Sequence, residues 1–286
     1  MSVDQSTPPV LVTMFNRPDH AARVLDAVAR AKPRQLFLAV DGPRGDVETD
    51  RAGVEGCRDL VSRIDWDCDV QTRFREENLG CRRGMIDGVS WFFDHVESGV
   101  ILEDDCLPDP GFAEFFGRAL AAYQNEKTVV QVSGYSHGKR FLNRSYFLPL
   151  SSSWGWATWS DRWREYLEIH EDVADKILAD PAMCRAFDLD GTYPYSKMLR
   201  RSRNGEVSSW AVFFQAFVFW KKGLVLYPPK SLIQNIGFDG SGAHCRDRQS
   251  DEESVEPVSV DRFRLPRRVR CSGWMLKRVK NRIRRR

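Results

Sequence analysis

Three carboxylates stand side by side at Glu103, Asp104 and Asp105, directly after an apolar run that begins at Val100. Neighbouring carboxylates repel one another and raise one another's proton affinity unless a cation lies between them. Oxygen ligands suit Mg²⁺ or Mn²⁺, which proteins commonly hold with one or two carboxylates together with phosphate and water. The acidic triplet, residues 103–105, therefore predicts a divalent-metal site that binds a diphosphate. The alternative is a solvated acidic turn.

The elements that must position this triplet alternate along the first half of the chain. Apolar runs that begin near residues 9, 35, 69 and 99 predict strands, and helical spacing of apolar residues separates most of them. Such alternation predicts an α/β fold with a mixed, mostly parallel sheet flanked by helices. Ligands of such sheets bind at the carboxyl ends of the strands, where both Asp41 and the triplet fall. Residues 43–56 and 233–248 are polar and Gly-containing, and we expect loops there.

Composition limits the class of protein. The 286 residues are 42% hydrophobic, which is ordinary for one large globular domain or two small ones, and no apolar run is long enough to span a bilayer. The first ten residues lack a basic segment followed by an apolar one, so we expect no secretory signal. Seven cysteines without CxxC spacing argue against a disulfide framework and a zinc ribbon. We therefore expect a cytoplasmic protein with reduced thiols.

Charge is distributed unevenly between the body and the C-terminus. Twelve of the 43 basic residues lie in 262–286, which contains no acid, so the remaining 31 face 40 acidic residues and the body carries −9. An acidic body does not predict nucleic-acid binding. Residues 273–286 place apolar side chains on one helical face among Lys and Arg, which predicts an interfacial helix on the inner face of an anionic membrane. The alternative is a disordered, solubilising tail.

Five ordered motifs carry a resemblance to a known family. They are FNRP, ENLGCRRG, EDD, SSSWGWATW and NIGFDGSGAH, and they span about residues 8–246. The chain resembles the GT-A fold (Rossmann-like) glycosyltransferases of the nucleotide-diphospho-sugar transferase superfamily, in particular bacterial family 2-like proteins and N-acetylglucosaminyltransferase I. The resemblance implies a transferase domain over 1–248, followed by a linker and basic tail over 249–286.

The resemblance also implies roles for individual residues, beginning with the nucleotide-sugar. Asp105 would bind Mn²⁺ or Mg²⁺, with His244 near the metal or diphosphate, while Asp104 would support ribose or water ligands and Glu103 the sugar. The other residues implied to contact the nucleotide-sugar are Phe15, Arg17, Asp41, Arg82, Arg83, Gly155 and Trp156. Each has a simpler reading: an exposed basic residue, a turn residue, an exposed loop histidine or, for the tryptophans, a core position.

The implied reaction is inverting transfer of a hexose from a nucleotide-diphosphate sugar, with a UDP-sugar favoured, to a glycan or lipid-linked acceptor in surface polysaccharide or lipooligosaccharide synthesis. Such a transferase needs a general base, and Ala211 stands where relatives carry Asp. Glu206 or Asp239 could substitute. A non-catalytic sugar-nucleotide or glycan-binding protein is therefore the main alternative. A nucleotidyltransferase should have a Gly-rich, basic loop after the first strand, which FNRP is not.

Overall fold

The computed structural model describes residues 7–138, 144–238, 260 and 263–285. The strands within these ranges are β1 Val10–Met14, β2 Gln35–Val40, β3 Asp69–Phe74, β4 Ser98–Glu103, β5 Cys106–Pro108, β6 Val129–Ser133, β7 Tyr146–Leu148, β8 Trp156–Trp159, β9 Leu224–Tyr227 and β10 Ile233–Asn235. The α-helices are α1 Pro18–Ala29, α2 Glu48–Asp59, α3 Gly80–Phe93, α4 Phe112–Tyr123, α5 Ser160–Ala179, α6 Pro181–Phe187, α7 Tyr195–Arg203, α8 Ala211–Trp220 and α9 Gly273–Arg284. A 3₁₀ turn, Leu60–Arg63, extends α2.

Eight strands form one sheet in the order β3-β2-β1-β4-β8-β6-β9-β7, and β5 pairs with β10 in a separate ribbon. The strand β1 pairs in parallel with both β2 and β4. Only β8 and β7 run antiparallel to their neighbours in the large sheet, so six of its eight strands share one direction. The predicted α/β class, with a mixed, mostly parallel sheet flanked by helices, is confirmed.

The direction in which the chain adds strands decides which face each helix covers. The chain moves outward from β1 to β2 and β3, and then returns to place β4 on the other side of β1. Crossovers between parallel strands are right-handed, so this reversal moves the connecting helix to the opposite face. Accordingly α1, α2 and α4 pack on one face with Val10 and Val12, whereas α3, α5 and α8 pack on the other with Leu11.

Two segments that were expected to be loops contain regular structure. The helix α2, Glu48–Asp59, begins inside the polar stretch 43–56, where its two glycines suggested a loop, and continues beyond it. These glycines serve close packing, because a Cβ at Gly53 would lie 2.5 Å from the Asn16 carbonyl oxygen and one at Gly56 would lie 3.1 Å from Pro18. The strand β10 has only three residues and forms because β5 offers an antiparallel partner.

The C-terminal helix α9 packs against the body of the protein. Its Met275 and Val279 are 2% and 4% exposed and belong to the same core as α5 and α8. The Ser272 N–H donates to the Phe147 carbonyl at 2.9 Å, which ties the start of the helix to β7. The apolar stripe that predicted an interfacial helix is therefore covered by protein. Within the described ranges, no helix has the length and apolar character needed to cross a membrane.

Candidate functional site

The acidic triplet and the segment after β1 meet at one point of the sheet edge. Thr13 of β1 is the parallel partner of Glu103 of β4, so Phe15–Arg17 and Asp104–Asp105 leave neighbouring strands side by side. The connections that follow β1 and β4 lead in different directions, which makes this gap a topological switch point of the sheet. Open α/β sheets bind ligands at such points, outside the carboxyl ends of the strands.

Arg17 is the counter-charge of the two aspartates. One nitrogen of its guanidinium, Nη2, forms an ion pair with Asp104 Oδ1 and lies 3.1 Å from Asp105 Oδ2. Burial alone would lower the pKa of Arg17, but the charges of Asp104 and Asp105 and their hydrogen bonds outweigh this effect and raise it. The Phe15 N–H donates to Asp104 Oδ2 at 3.4 Å, so residues 15 and 17 both hold this carboxylate.

Glu103 and Asp104 are the two acids of the triplet whose pKa is raised in the folded protein. Burial raises the pKa of Asp104, although the guanidinium of Arg17 opposes the rise. Burial, followed by the charges of Asp105 and Asp104, raises the pKa of Glu103 to about 8. No residue in the described ranges donates a hydrogen bond to the Glu103 carboxylate. The sequence prediction that clustered carboxylates would raise one another's proton affinity is therefore met at Glu103.

The end of β10 and the two residues after it lie against Asp105 and Arg17. The Asn235 amide donates to Asp105 Oδ1 at 3.4 Å, and the Ile236 N–H donates to the Asp105 carbonyl at 2.8 Å. A Cβ at Gly237 would collide with Asp105 Oδ2 and lie 3.0 Å from Arg17 Nη1. Only glycine fits at position 237 in this arrangement. Sequence reasoning treated the stretch as a loop and missed Asn235 and Gly237, although the Asn-Ile-Gly motif was a usable signal.

Asp41, predicted to contact the base or ribose, caps a helix in the structure. Its carboxylate accepts the Leu79 N–H at 2.9 Å, the Gly80 N–H at 3.1 Å and the Asn78 amide at 3.1 Å. These donors belong to the first turn of α3 and the residues before it, whose N–H groups have no partner within the helix. The Gly42 N–H donates at 3.0 Å as well. With its oxygens filled by protein donors, Asp41 is not free to bind a nucleotide in this structure.

Arg82 and Arg83 were predicted to form an anion site with the N-terminus of α3. Arg82 instead forms an ion pair with Glu171 of α5, and its guanidinium lies 3.7 Å from the centre of the Phe213 ring. These contacts turn its charge toward α5 and α8. Arg83 is exposed. Since Asp41 already occupies the helix N-terminus, the structure does not bring the predicted anion site together.

The Gly155–Trp156 pair was predicted to line the sugar, but Trp156 is fully buried. Its ring stacks on Trp210 with centroids 5.1 Å apart, so the simpler core reading is correct for this residue. Gly155 has φ +56°, and a Cβ there would lie 2.6 Å from the Ile233 side chain. The partly exposed tryptophan of the motif is Trp154, whose ring meets Phe238 at 5.5 Å. Sequence reasoning overlooked Trp154.

The predicted general bases are not brought to the triplet by any described contact. Glu206 lies in the turn between α7 and α8, where it forms an exposed ion pair with Arg201 at 3.2 Å. Asp239 and His244 lie outside the described residues, so their roles remain predictions. Ala211, the position of the family's Asp, begins α8.

The described residues do not form a site that fits a divalent metal. No group of three or more His, Cys, Asp or Glu side chains within the described ranges is placed to hold one. Every carboxylate oxygen of Asp104 and Asp105 already accepts a protein donor: the Arg17 guanidinium, the Phe15 N–H or the Asn235 amide. A guanidinium thus stands where the metal was expected.

A separate cavity of about 470 Å³ lies at the opposite edge of the sheet, near the amino end of β4. It is lined by the C-terminal ends of α3 and α4 and by the start of α5. None of the predicted site residues lies in its wall. The acidic triplet and this cavity therefore lie at different places in the molecule.

No protein-family model matches the sequence, and no curated protein is similar to it. Among solved structures, apo UDP-glucose pyrophosphorylase is similar over 79% of this chain and 93% of its own, with 7% identity and a TM-score of 0.39. The complex of UDP-glucose pyrophosphorylase with UDP-glucose is similar over 77% of this chain and 89% of its own, with 6% identity and a TM-score of 0.38. The 4-diphosphocytidyl-2C-methyl-D-erythritol synthase from Anaerococcus prevotii DSM 20548 is similar over 57% of this chain and 78% of its own, with 10% identity and a TM-score of 0.31. Identities and TM-scores this low assign neither a family nor an activity to this chain.

Proposed function

We propose that this chain is a glycosyltransferase that moves a hexose from a nucleotide-diphosphate sugar, with a UDP-sugar favoured, to a glycan or lipid-linked acceptor. The single observation that supports the proposal is the meeting of Arg17 and the acidic triplet at the switch point between β1 and β4. The motif resemblance supplies the reaction class, and surface polysaccharide or lipooligosaccharide synthesis is the setting it implies.

The reaction we propose is an inverting displacement at the anomeric carbon. The acceptor hydroxyl oxygen forms a bond to this carbon as the bond to the diphosphate oxygen breaks, and the hydroxyl proton passes to a general base. Negative charge accumulates on the departing diphosphate, so a fixed cation near it stabilises the transition state more than the ground state. We propose Arg17 as the cation that acts on that charge. Glu206 and Asp239 remain the proposed bases.

A donor panel tests the proposal. The protein is incubated with UDP-, GDP- and CMP-sugars, each with Mn²⁺, with Mg²⁺ and with a chelator, and released nucleotide is measured. We expect slow hydrolysis of one donor class, and loss of that hydrolysis in Arg17→Ala. A parallel incubation of nucleoside triphosphates with sugar 1-phosphates measures pyrophosphate release. Pyrophosphate release without hydrolysis of any donor would show a nucleotidyltransferase and contradict glycosyl transfer.

A non-catalytic sugar-nucleotide or glycan-binding protein is the second candidate, because Ala211 replaces the family's base and Glu206 is engaged by Arg201. Binding without turnover separates the two. If one nucleotide-sugar binds tightly by calorimetry while no donor is hydrolysed and no acceptor is modified, the binding function is correct. If the bound donor is also hydrolysed, the transferase function is correct.

An anionic membrane surface is a further proposed partner, with support that differs from the original prediction. The apolar stripe of α9 is buried, but Trp274 on its outer side is 62% exposed, and its ring lies 5.5 Å from the Arg278 guanidinium. Lys277 and Arg284 are exposed on the same helix, and the exposed Arg285 follows its last residue. The protein should co-sediment with vesicles that contain phosphatidylglycerol. The double variant Trp274→Ala, Arg278→Gln should bind these vesicles about tenfold more weakly. Equal sedimentation with purely zwitterionic vesicles would contradict this.

A further inference from the structure

The acidic triplet of this chain does not have the environment that its sequence predicts. We infer that the guanidinium of Arg17, rather than a divalent metal ion, is the permanent counter-cation of Asp104 and Asp105. Resting on the proposed function, the inference extends to the ligand: a nucleoside diphosphate binds at this edge without a divalent metal. The first part concerns the nucleotide-free protein and stands or falls independently.

The occupancy of the carboxylates carries the inference. Asp104 has Arg17 on Oδ1 and the Phe15 N–H on Oδ2, while Asp105 has the Asn235 amide on Oδ1 and Arg17 on Oδ2. Side chains of all three ion-pair members are largely covered, at 19%, 7% and 17% exposure for Arg17, Asp104 and Asp105. Mg²⁺ binds oxygens at about 2.0–2.1 Å, so on Asp104 Oδ1 or Asp105 Oδ2 it would share the oxygen with the guanidinium of Arg17.

Arg17 is held in this position by the elements on both sides. Its backbone precedes Pro18, the first residue of α1, and its carbonyl accepts the Ala21 N–H at 3.0 Å, which anchors residue 17 to the helix. Gly237 covers the guanidinium from the other side and leaves no room for a Cβ. Two anchored segments therefore confine the arginine between them.

Charge explains why a metal would be disfavoured while Arg17 remains. A divalent ion on Asp105 would lie close to the guanidinium that already touches Oδ2 of this residue, and two cations at that distance repel. The guanidinium also has an unused donor, because Arg17 Nη1 is buried and has no hydrogen-bond acceptor among the described residues. A phosphate oxygen is an acceptor that a guanidinium binds strongly. Arg17 can therefore neutralise the aspartates and still donate a hydrogen bond to an anion. In a metal site, the metal would supply the positive charge for both.

Mn²⁺ binding to the nucleotide-free protein tests the first part. Electron paramagnetic resonance measures the free Mn²⁺ signal as protein is added. We expect no stoichiometric Mn²⁺ binding by the wild type, and a new Mn²⁺ site in Arg17→Ala, because the two carboxylates lose their counter-charge. Stoichiometric binding by the wild type that Asp105→Asn abolishes would overturn the inference. So would the absence of Mn²⁺ binding in a folded Arg17→Ala protein.

UDP affinity measured by calorimetry tests the second part. We expect dissociation constants in chelator and in Mn²⁺ that agree within about twofold, and an affinity for UDP about tenfold weaker in Arg17→Ala. Arg73→Ala is the control, because Arg73 of β3 makes a more exposed arginine–aspartate pair with Asp87, with contacts of 2.9 and 3.0 Å.

The two failures are distinguishable. An affinity for UDP that rises about tenfold or more with Mn²⁺ and is lost in Asp105→Asn contradicts the metal-free inference but leaves the proposed function intact. Absence of any nucleotide binding contradicts the proposed function, while the Mn²⁺ measurement still decides whether Arg17 is the counter-cation. Should Arg17→Ala fail to fold, Asp105→Asn and the wild type supply both decisive comparisons.

Discussion

Two arginine–aspartate sites lie at the carboxyl edge of the same sheet, and they are built differently. One joins the loop after β2 to the first turn of α2, and the other joins the segments that follow β1 and β4. Asp50 is 1% exposed and accepts four hydrogen bonds: three come from Arg44 (Nε at 2.6 Å, Nη2 at 2.8 Å and the backbone N–H at 3.2 Å), and the Asn16 amide gives the fourth at 2.7 Å. Arg17, in contrast, is shared between Asp104 and Asp105. One site has a donor for every lone pair, and the other has too few donors for its acids.

The pKa directions express the same contrast. The hydrogen bonds from Arg44 lower the pKa of Asp50 to about 2, despite its burial. Burial raises the pKa of Asp104, and Arg17 does not fully reverse the rise. A satisfied buried carboxylate stabilises a fold, whereas an under-compensated cluster at a sheet edge is typical of functional sites. We therefore predict that the Asp50 site contributes to stability, and ligand binding remains the function that we propose for the triplet.

The largest effect should come from breaking the satisfied site. Asp50→Ala removes four hydrogen bonds that a buried carboxylate accepts, two of them from the guanidinium of the half-exposed Arg44, so the free energy of unfolding should fall by about 3 kcal/mol. Urea denaturation measures this change. Nucleotide affinity of the folded variant should stay the same. A loss of affinity without a loss of stability would mean that the two sites have been assigned the wrong way round.

Asp41 extends the comparison, because it is a second satisfied carboxylate at the same edge. Asp41→Ala removes the N-terminal cap of α3, and we expect a loss of about 2 kcal/mol in unfolding free energy. Hydrogen exchange should show the first turn of α3 opening more readily. A variant with unchanged stability but much weaker nucleotide binding would restore the role that the sequence predicted for Asp41.

The pH dependence of stability should differ in sign between the two sites. Glu103 has a pKa of about 8 in the folded protein, above the ordinary value of 4.5, so the folded state holds this proton more tightly. Unfolding free energy should therefore decrease as pH rises from about 4.5 to about 8. Asp50 has a lowered pKa, and its stabilisation is present above about pH 4 and lost as pH falls toward about 2.

Glu103→Gln checks this sign. The variant should match or exceed the wild type in stability at about pH 8, and the difference should shrink toward about pH 5. Denaturation curves across this range provide the measurement, with Asp50→Asn as the control that loses stability at neutral pH. Parallel curves for wild type and Glu103→Gln would show that Glu103 titrates normally.

The smallest effect should come from the exposed pair Glu206–Arg201. Glu206→Gln should change the free energy of unfolding by less than about 0.5 kcal/mol, as exposed ion pairs generally do. The effect of this variant on the rate of donor turnover tests whether Glu206 is the general base. An unchanged rate removes Glu206 as a base, whereas a loss of about 100-fold or more would confirm it.

The sequence predicted the sheet because apolar runs mark buried parallel strands, and it located the triplet at the end of β4. It could not reveal that Arg17 reaches Asp105, since that contact joins residues 88 positions apart. It also assigned ligand roles to Asp41 and Trp156. A strand-end Asp looks the same whether it faces a ligand or a helix N-terminus, and a motif tryptophan looks the same whether buried or exposed.

The most direct test of the account is a crystal of the nucleotide-free protein soaked with UDP in the presence of a chelator. We expect a diphosphate at the edge between β1 and β4, with a phosphate oxygen within about 3 Å of the Arg17 guanidinium and no metal between this oxygen and Asp105. UDP bound elsewhere, or bound at this edge only after Mn²⁺ is added with Asp105 as its ligand, would contradict it.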